Sequence, residues 1–142
     1  MPAMLQTAEP LEKEGIDAVE LSGGMVHSGK FVPVRRGKLD SKDQEAYYKE
    51  AARRFKERIS VPLMLVGGIR SFDVADRLVT EGLADYISLS RPLIREPRLI
   101  KRWKSGDRGK ARCQSDNLCF KPAMQGEGVY CVTERKFAKR DA

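Results

Sequence analysis

The sequence predicts an α/β fold built on a parallel sheet. Helical and strand patterns alternate along the chain, and three strand-like runs, at about 16–22, 61–66 and 84–89, each follow a stretch of helical periodicity. The middle run, Val61-Pro-Leu-Met-Leu-Val66, is apolar throughout instead of at every second position. That is the pattern of a strand covered on both faces, as helices cover a parallel sheet.

Taken in order, Met4, Leu5, Ala8 and Leu11 recur at helical spacing, and Gly15 supplies a helix stop. Asp17-Ala-Val-Glu-Leu-Ser22 reads as the first strand, with Ala18, Val19 and Leu21 apolar. From Gly23 to Lys42 the pattern dissolves into glycine, proline and charge. Loops of that length are uncommon in a compact domain and are often functional. Asp43 to Ile59 returns to helix, because Tyr47, Ala51, Phe55 and Ile59 repeat every four residues between Lys, Arg and Glu. Pro62 suits the first positions of the second strand, which Gly67-Gly68 ends. Ser71 then suits an N-cap, Asp73 and Asp76 favour the first turns, Val74, Ala75, Leu78 and Val79 form an apolar face, and Gly82 suits the C-cap. Ala84-Asp-Tyr-Ile-Ser-Leu89 is the third strand, and Ser90-Arg91-Pro92 turns out of it. Leu93 to Trp103 is helical but interrupted by Pro97, and regular periodicity fades after Gly106. The expected organisation is an αβ body over 1–106 and an irregular, cysteine-containing tail over 107–142.

The formal charge of +7 sits entirely in the last third: residues 1–97 carry 15 bases and 15 acids, and residues 98–142 carry 12 bases and 5 acids. In the tail those charges are scattered among Gly, Cys and Pro without the aromatic interleaving of a stacking platform, which argues against nucleic acid as a partner. Lys101, Arg102 and Lys104 are expected on the polar side of a surface helix. No apolar run approaches the roughly 20 residues of a membrane span, and no signal-peptide pattern opens the chain. Three cysteines cannot pair completely within one chain. The expectation is a cytoplasmic protein with reduced thiols and no membrane.

Gly67 and Gly68 stand where a buried strand ends and a helix is about to begin. Glycine there lets backbone approach a ligand, and free N–H groups near a helix start suit an anion; a tight βα turn with no ligand accounts for the pair equally well. Ser90 and Arg91 occupy the equivalent place after the next strand. Arg91 is either a planar fork for the same anion or a surface arginine paired with an acid. Together the two strand ends resemble the phosphate site after the last two strands of a (β/α)8 barrel. His27, the single histidine, lies in the glycine-rich loop with no acid or nucleophile fixed beside it, and reads as an exposed loop residue. Arg35, Arg36 and Lys38 in that loop read as solvated, with a negatively charged substrate or nicotinamide cofactor as the other reading.

Several of these segments carry a family resemblance. Val66-Gly-Gly-Ile-Arg70, Glu81-Gly82, Ala84-Asp85, and Ser90-Arg-Pro-Leu93 followed by Glu96-Pro97 resemble the C-terminal part of the old yellow enzyme family of FMN-dependent NADH:flavin oxidoreductases and ene-reductases. Gly15-Ile-Asp-Ala-Val-Glu-Leu-Ser-Gly-Gly24 resembles the family's sixth strand, and Tyr47-Tyr48 to Ile59 the helix after it. The resemblance implies a partial (β/α)8 TIM barrel of about three C-terminal βα units, with FMN as cofactor. It implies hydride transfer from NAD(P)H to flavin and on to a small-molecule acceptor such as an electron-poor alkene. Carried over, the FMN-phosphate candidates are Gly67, Gly68 and Ser90 through backbone N–H, and Arg91. Ser90 departs from the family, which usually has Gly before this Arg, and its Cβ crowds the phosphate if the backbone needs a glycine conformation.

The resemblance places the flavin-ring contacts, the substrate-anchoring His pair or His/Asn pair, and the Tyr proton donor in the family's first half. No catalytic residue is therefore assigned on this chain, and catalysis would need an N-terminal half-barrel from a partner chain. The other reading is a non-catalytic half-barrel that self-associates through its open strand edges and binds a phosphorylated ligand or none. The Cys113, Asn117, Cys119 cluster resembles the cysteine-rich stretch after the barrel in one branch of the family, and Cys113, Cys119 and Cys131 resemble three of the four cysteines, spaced Cys-x2-Cys-x3-Cys-x11-Cys, that hold an iron–sulfur cluster there. Here Asp116 holds the second place and the next interval is one residue short, which argues against a cluster or another metal.

Overall fold

The computed structural model describes residues 3–24, 37 and 39–138. Helix α1 (Ala3–Lys13) leads to strand β1 (Val19–Leu21); α2 (Lys49–Lys56) precedes β2 (Leu63–Leu65), and α3 (Phe72–Thr80) precedes β3 (Tyr86–Ile87). Four short helices follow: α4 (Arg91–Arg95), α5 (Leu99–Lys104), α6 (Phe120–Met124) and α7 (Val132–Ala138). The strands form one parallel sheet in the order β1-β2-β3, with Val19 opposite Leu63, Leu65 opposite Leu21, and Met64 opposite Tyr86. This is α/β architecture of the partial-barrel kind. Among the described residues no helix is long and apolar enough to cross a membrane.

The core lies between this sheet and α1–α3. Leu63 and Leu65 of β2 are fully buried against Phe55 and Ala52 of α2, Val74 and Leu78 of α3, and Leu5 and Ala8 of α1. Side chains alternate along a strand, so Met64 faces the other way and is only half-buried. The continuous apolar run is therefore sealed on the helix face more tightly than on the opposite one. A second, smaller cluster of Leu99, Trp103 and Ala111 packs on Phe72, Leu89 and Leu93, so that chain beyond the last strand folds back beside α3.

Four local expectations change. The ladders are shorter than the apolar runs: β2 pairs over Leu63–Leu65 and β3 over Tyr86–Ile87. Asp43–Ile59 is not one helix: Lys42–Gln44 forms a 3-10 turn, Ala46 takes φ +48°, and α2 starts only at Lys49. Glu45 and Tyr47 are drawn away to the β2 end, where Tyr47 N–H donates to Gly67 O (3.1 Å). Val79, expected on the apolar face of α3, is exposed, and Arg102 is not a solvated helix residue. Its guanidinium pairs with Glu96 (3.0 Å) and Asp107 (3.1 Å) and is itself largely covered. The stretch after Gly106 is irregular apart from α6 and α7.

Candidate functional site

β2 and β3 run side by side and end together, so the residues that leave them share one space. Val66 to Arg70 and Ser88 to Pro92, with Tyr47 and Phe120, line a cleft of about 160 Å³. All four residues singled out from the sequence, Gly67, Gly68, Ser90 and Arg91, are in that lining.

The two glycines are demanded by their surroundings. Gly67 has φ +125° and Gly68 φ +74°, a region that L side chains rarely adopt. A Cβ on Gly67 would stand 2.6 Å from Tyr48 Cδ2, and one on Gly68 would stand 2.5 Å from Tyr47 Cε1. The two tyrosine rings meet edge to face at 4.7 Å, and Tyr48 OH donates to Gly23 O (2.8 Å). Among the described residues the backbone N–H groups of Gly67, Gly68 and Ser90 donate to no protein acceptor. Ser90 lies at φ −108°, outside the left-handed region, so its Cβ meets no backbone demand for glycine.

Two guanidiniums stand at this cleft. Arg91, only 8% exposed, donates from Nη1 to Asn117 Oδ1 (2.6 Å). Arg70, 3% exposed, donates from Nη1 to Ile69 O (2.9 Å) and from Nη2 to Ser115 Oγ (3.0 Å), and its Nε is buried without an acceptor. Burial pushes the Arg70 guanidinium below its ordinary value; Cys113 opposes that, and the like charge of Arg91 adds to it. Tyr47 and the Glu45 carboxylate act with Cys113 against that fall.

Glu45 fixes the backbone next to them. Its buried carboxylate accepts from Arg70 N (2.7 Å), Ser71 N (2.8 Å) and Ser71 Oγ (2.7 Å), and Lys110 Nζ stands 3.4 Å away. Ser71 is at the N-cap of α3 as expected, but its hydroxyl serves Glu45 instead of capping its own helix. Sequence reasoning missed Glu45, Arg70 and Ser115, and placed Asn117 only in the cysteine-rich stretch, not at this cleft. Only Arg70 carried a signal, as the charged residue ending Val66-Gly-Gly-Ile-Arg70 between apolar segments.

The cysteine segment lies against the same cleft. Ser115 (φ +56°) and Asn117 (φ +63°) both adopt left-handed backbone. Asp116 accepts from Leu118 N (3.1 Å) and Thr133 Oγ1 (2.5 Å), which ties the segment to α7. Cys131 Sγ accepts from Glu134 N (3.4 Å) and Arg95 Nη1 (3.8 Å). Burial, and then the neighbouring Cys113, push the Cys119 thiol up. All three thiols are free, and among the described residues no group of three or more His, Cys, Asp or Glu could hold a metal ion. His27, Arg35, Arg36 and Lys38 lie outside the described residues.

Comparison with known proteins adds to this geometry. Residues 5–109 match the model of the NADH:flavin oxidoreductase / NADH oxidase family. An NADH-dependent flavin oxidoreductase of Talaromyces variabilis is 34% identical over 70% of this chain and 25% of its own length. The 4,4'-dithiodibutanoate disulfide reductase of Rhodococcus erythropolis is 27% identical over 70% of this chain and 24% of its own length. The HisF subunit of imidazole glycerol phosphate synthase from Thermobifida fusca is 38% identical over 43% of this chain and 23% of its own length. The chain thus spans about a quarter of the length of these relatives.

Proposed function

The chain belongs to the NADH:flavin oxidoreductase / NADH oxidase family, and we propose that its cleft at the ends of β2 and β3 holds the phosphate of FMN. The observation that carries this reading is that the buried Arg91 and the backbone of Gly67, Gly68 and Ser90 line one cleft at the ends of two neighbouring parallel strands. Arg91 offers a planar fork to phosphate oxygens, and the N–H groups of Gly67, Gly68 and Ser90 offer further donors. The residues present therefore fit a phosphate dianion, and Ser90, at negative φ, is no obstacle to it.

Two further considerations support a phosphate-bearing ligand. A terminal monophosphate suits a small cleft lined on two sides by single strand ends. The imidazole glycerol phosphate synthase subunit, which shares identity with this chain, is named for a phosphate-bearing compound. Bound here, the flavin would supply two-electron transfer between NAD(P)H and a small-molecule acceptor. The residues of this chain would anchor its phosphate end and fix where it lies. Contacts to the flavin ring and to substrate are assigned to parts of the family's length that this segment does not span.

The test is a binding titration of the purified chain with FMN, riboflavin and inorganic phosphate, read by calorimetry and by the visible spectrum. FMN should bind, phosphate should compete with it, and riboflavin, which has no phosphate, should bind far more weakly. Arg91→Ala should weaken FMN roughly tenfold to a hundredfold, the range for a charge-assisted hydrogen bond. Equal binding of riboflavin and FMN, or an Arg91→Ala variant that binds like the parent, would overturn the reading.

A further inference from the structure

Helix α7 buries none of its residues, so little apolar packing holds it in place. Named polar contacts fasten it instead. Near its start Thr133 Oγ1 donates to Asp116 Oδ2 (2.5 Å). The next residue, Glu134, pairs through Oε2 with Arg95 Nη2 (2.9 Å). Arg95 also donates from Nη1 to Cys131 Sγ (3.8 Å), just before the helix, and its guanidinium lies over the Phe137 ring at 5.9 Å. Two paths lead from these contacts to the cleft. Arg95 is the last residue of α4 and Arg91 the first, and residues four apart share one side of a helix. The second path runs through Asp116, whose other oxygen accepts from Leu118 N (3.1 Å) and whose neighbour Asn117 accepts from Arg91 Nη1 (2.6 Å). Both paths end at Arg91, in the lining of the cleft.

We propose that α7 is a latch coupled to the anion cleft. Docked, it holds α4 and the turn at 115–117 in the arrangement that presents Arg91, and a bound phosphate in turn keeps α7 docked. This rests on the phosphate reading and adds a movable element to it. In the docked state Arg95 has Glu134 and Asp116 has Thr133. In the released state those groups turn to water, and the turn loses a support. That turn depends on its surroundings, because Ser115 and Asn117 both hold left-handed backbone without being glycine. A ligand that prefers the docked arrangement shifts the population toward it, and whatever loosens α7 lowers ligand affinity by the same factor. The fastening suits such a role. Partly exposed ion pairs contribute little, and moving elements are drawn from the weakly held parts of a fold. Helix α3, by contrast, is anchored in the core by Val74 and Leu78.

Hydrogen exchange read by mass spectrometry on the purified chain follows both sides of this coupling, with FMN and inorganic phosphate as probes. Amides of 132–138 should exchange about fivefold more slowly when either ligand is bound, the lower end of usual couplings between sites. A ligand that only stabilised the whole fold would leave local opening of α7 at its parent rate. Combining Thr133→Val with Glu134→Gln removes both contacts at nearly constant side-chain size. The double variant should exchange faster in α7 and bind FMN and phosphate about fivefold more weakly, while the unfolding transition read through Trp103 stays at the parent value. Unchanged affinity in a variant whose α7 has loosened, or α7 exchange that ignores bound FMN, would overturn the latch and leave the phosphate reading standing. Unchanged α7 exchange in the variant would overturn it too, since the two contacts would then not hold the helix. If the parent binds neither FMN nor phosphate, the phosphate reading itself fails and the latch falls with it.

Discussion

Replacing Glu45 tests how the β2 end is held. Its two oxygens receive Arg70 N, Ser71 N and Ser71 Oγ within 2.8 Å, and Lys110 stands at 3.4 Å. In Glu45→Gln the carbonyl oxygen can keep the two backbone donors, but an amide replaces the oxygen facing Ser71 Oγ and the Lys110 ammonium. A hydrogen bond to a charged group contributes about 1.5–3 kcal/mol and a neutral one about 0.5–1.5 kcal/mol. Weakening two such bonds and setting an amide against Lys110 should therefore cost about 2–3 kcal/mol. Glu45→Ala, which strands all three donors inside the protein, should cost about 3–5 kcal/mol. Urea unfolding followed through Trp103 reads this directly. Trp103 is the single tryptophan and packs edge-on against Phe72, the first residue of the helix that Glu45 grips, at 5.8 Å. A Glu45→Ala variant that loses less than about 1 kcal/mol would refute the idea that this carboxylate organises the turn.

Two other perturbations follow. Gly68→Ala should destabilise by about 2–4 kcal/mol, since it adds left-handed strain to a collision with an aromatic ring; denaturant unfolding should show a smaller increment in a Tyr47→Ala background, where the ring is gone but the backbone strain remains. Asp85 accepts from Lys56 Nζ (2.8 Å) and from Leu63 N (2.7 Å), and these partners, Lys56 first, hold its carboxyl below the ordinary aspartate range. A depressed folded-state value contributes stability that is complete above the unfolded value and is lost as pH falls through the folded one. Acid unfolding below about pH 4 should therefore be shallower in Asp85→Asn than in the parent, and identical pH profiles would count against the pin between β2 and β3.

What the sequence makes legible follows the range of the interaction. The centres of the three strands lie inside the predicted runs, because apolar pattern reports burial and Leu63 and Leu65 are buried. That the residues after β2 and β3 share a cleft was also readable, since neighbouring parallel strands end on the same side. Helix 43–59 was not legible in its first third. Tyr47 keeps perfect helical spacing with Ala51 and Phe55, yet its position is set by Gly67, which local periodicity cannot report. The arginine contacts were beyond reach for the same reason: Arg70 meets Ser115 across 45 residues and Arg91 meets Asn117 across 26, and nothing local to either arginine announces the partner.

The glycine pair and the arginine pair carry different kinds of weight. Gly67-Gly68 is the more conspicuous motif, but a Cβ at either position runs first into Tyr47 or Tyr48. Packing and backbone conformation alone therefore suffice to require glycine, with or without a ligand. Arg91 meets no such packing demand: it is a buried guanidinium lining the cleft beside the backbone N–H groups of Gly67, Gly68 and Ser90, a set of donors suited to an anion. The two substitutions should separate accordingly. Gly68→Ala should move the unfolding transition, while Arg91→Ala should act first on anion affinity. If both variants moved stability alike, the arginines would be part of the packing and the case for a ligand at this cleft would have to rest on something else.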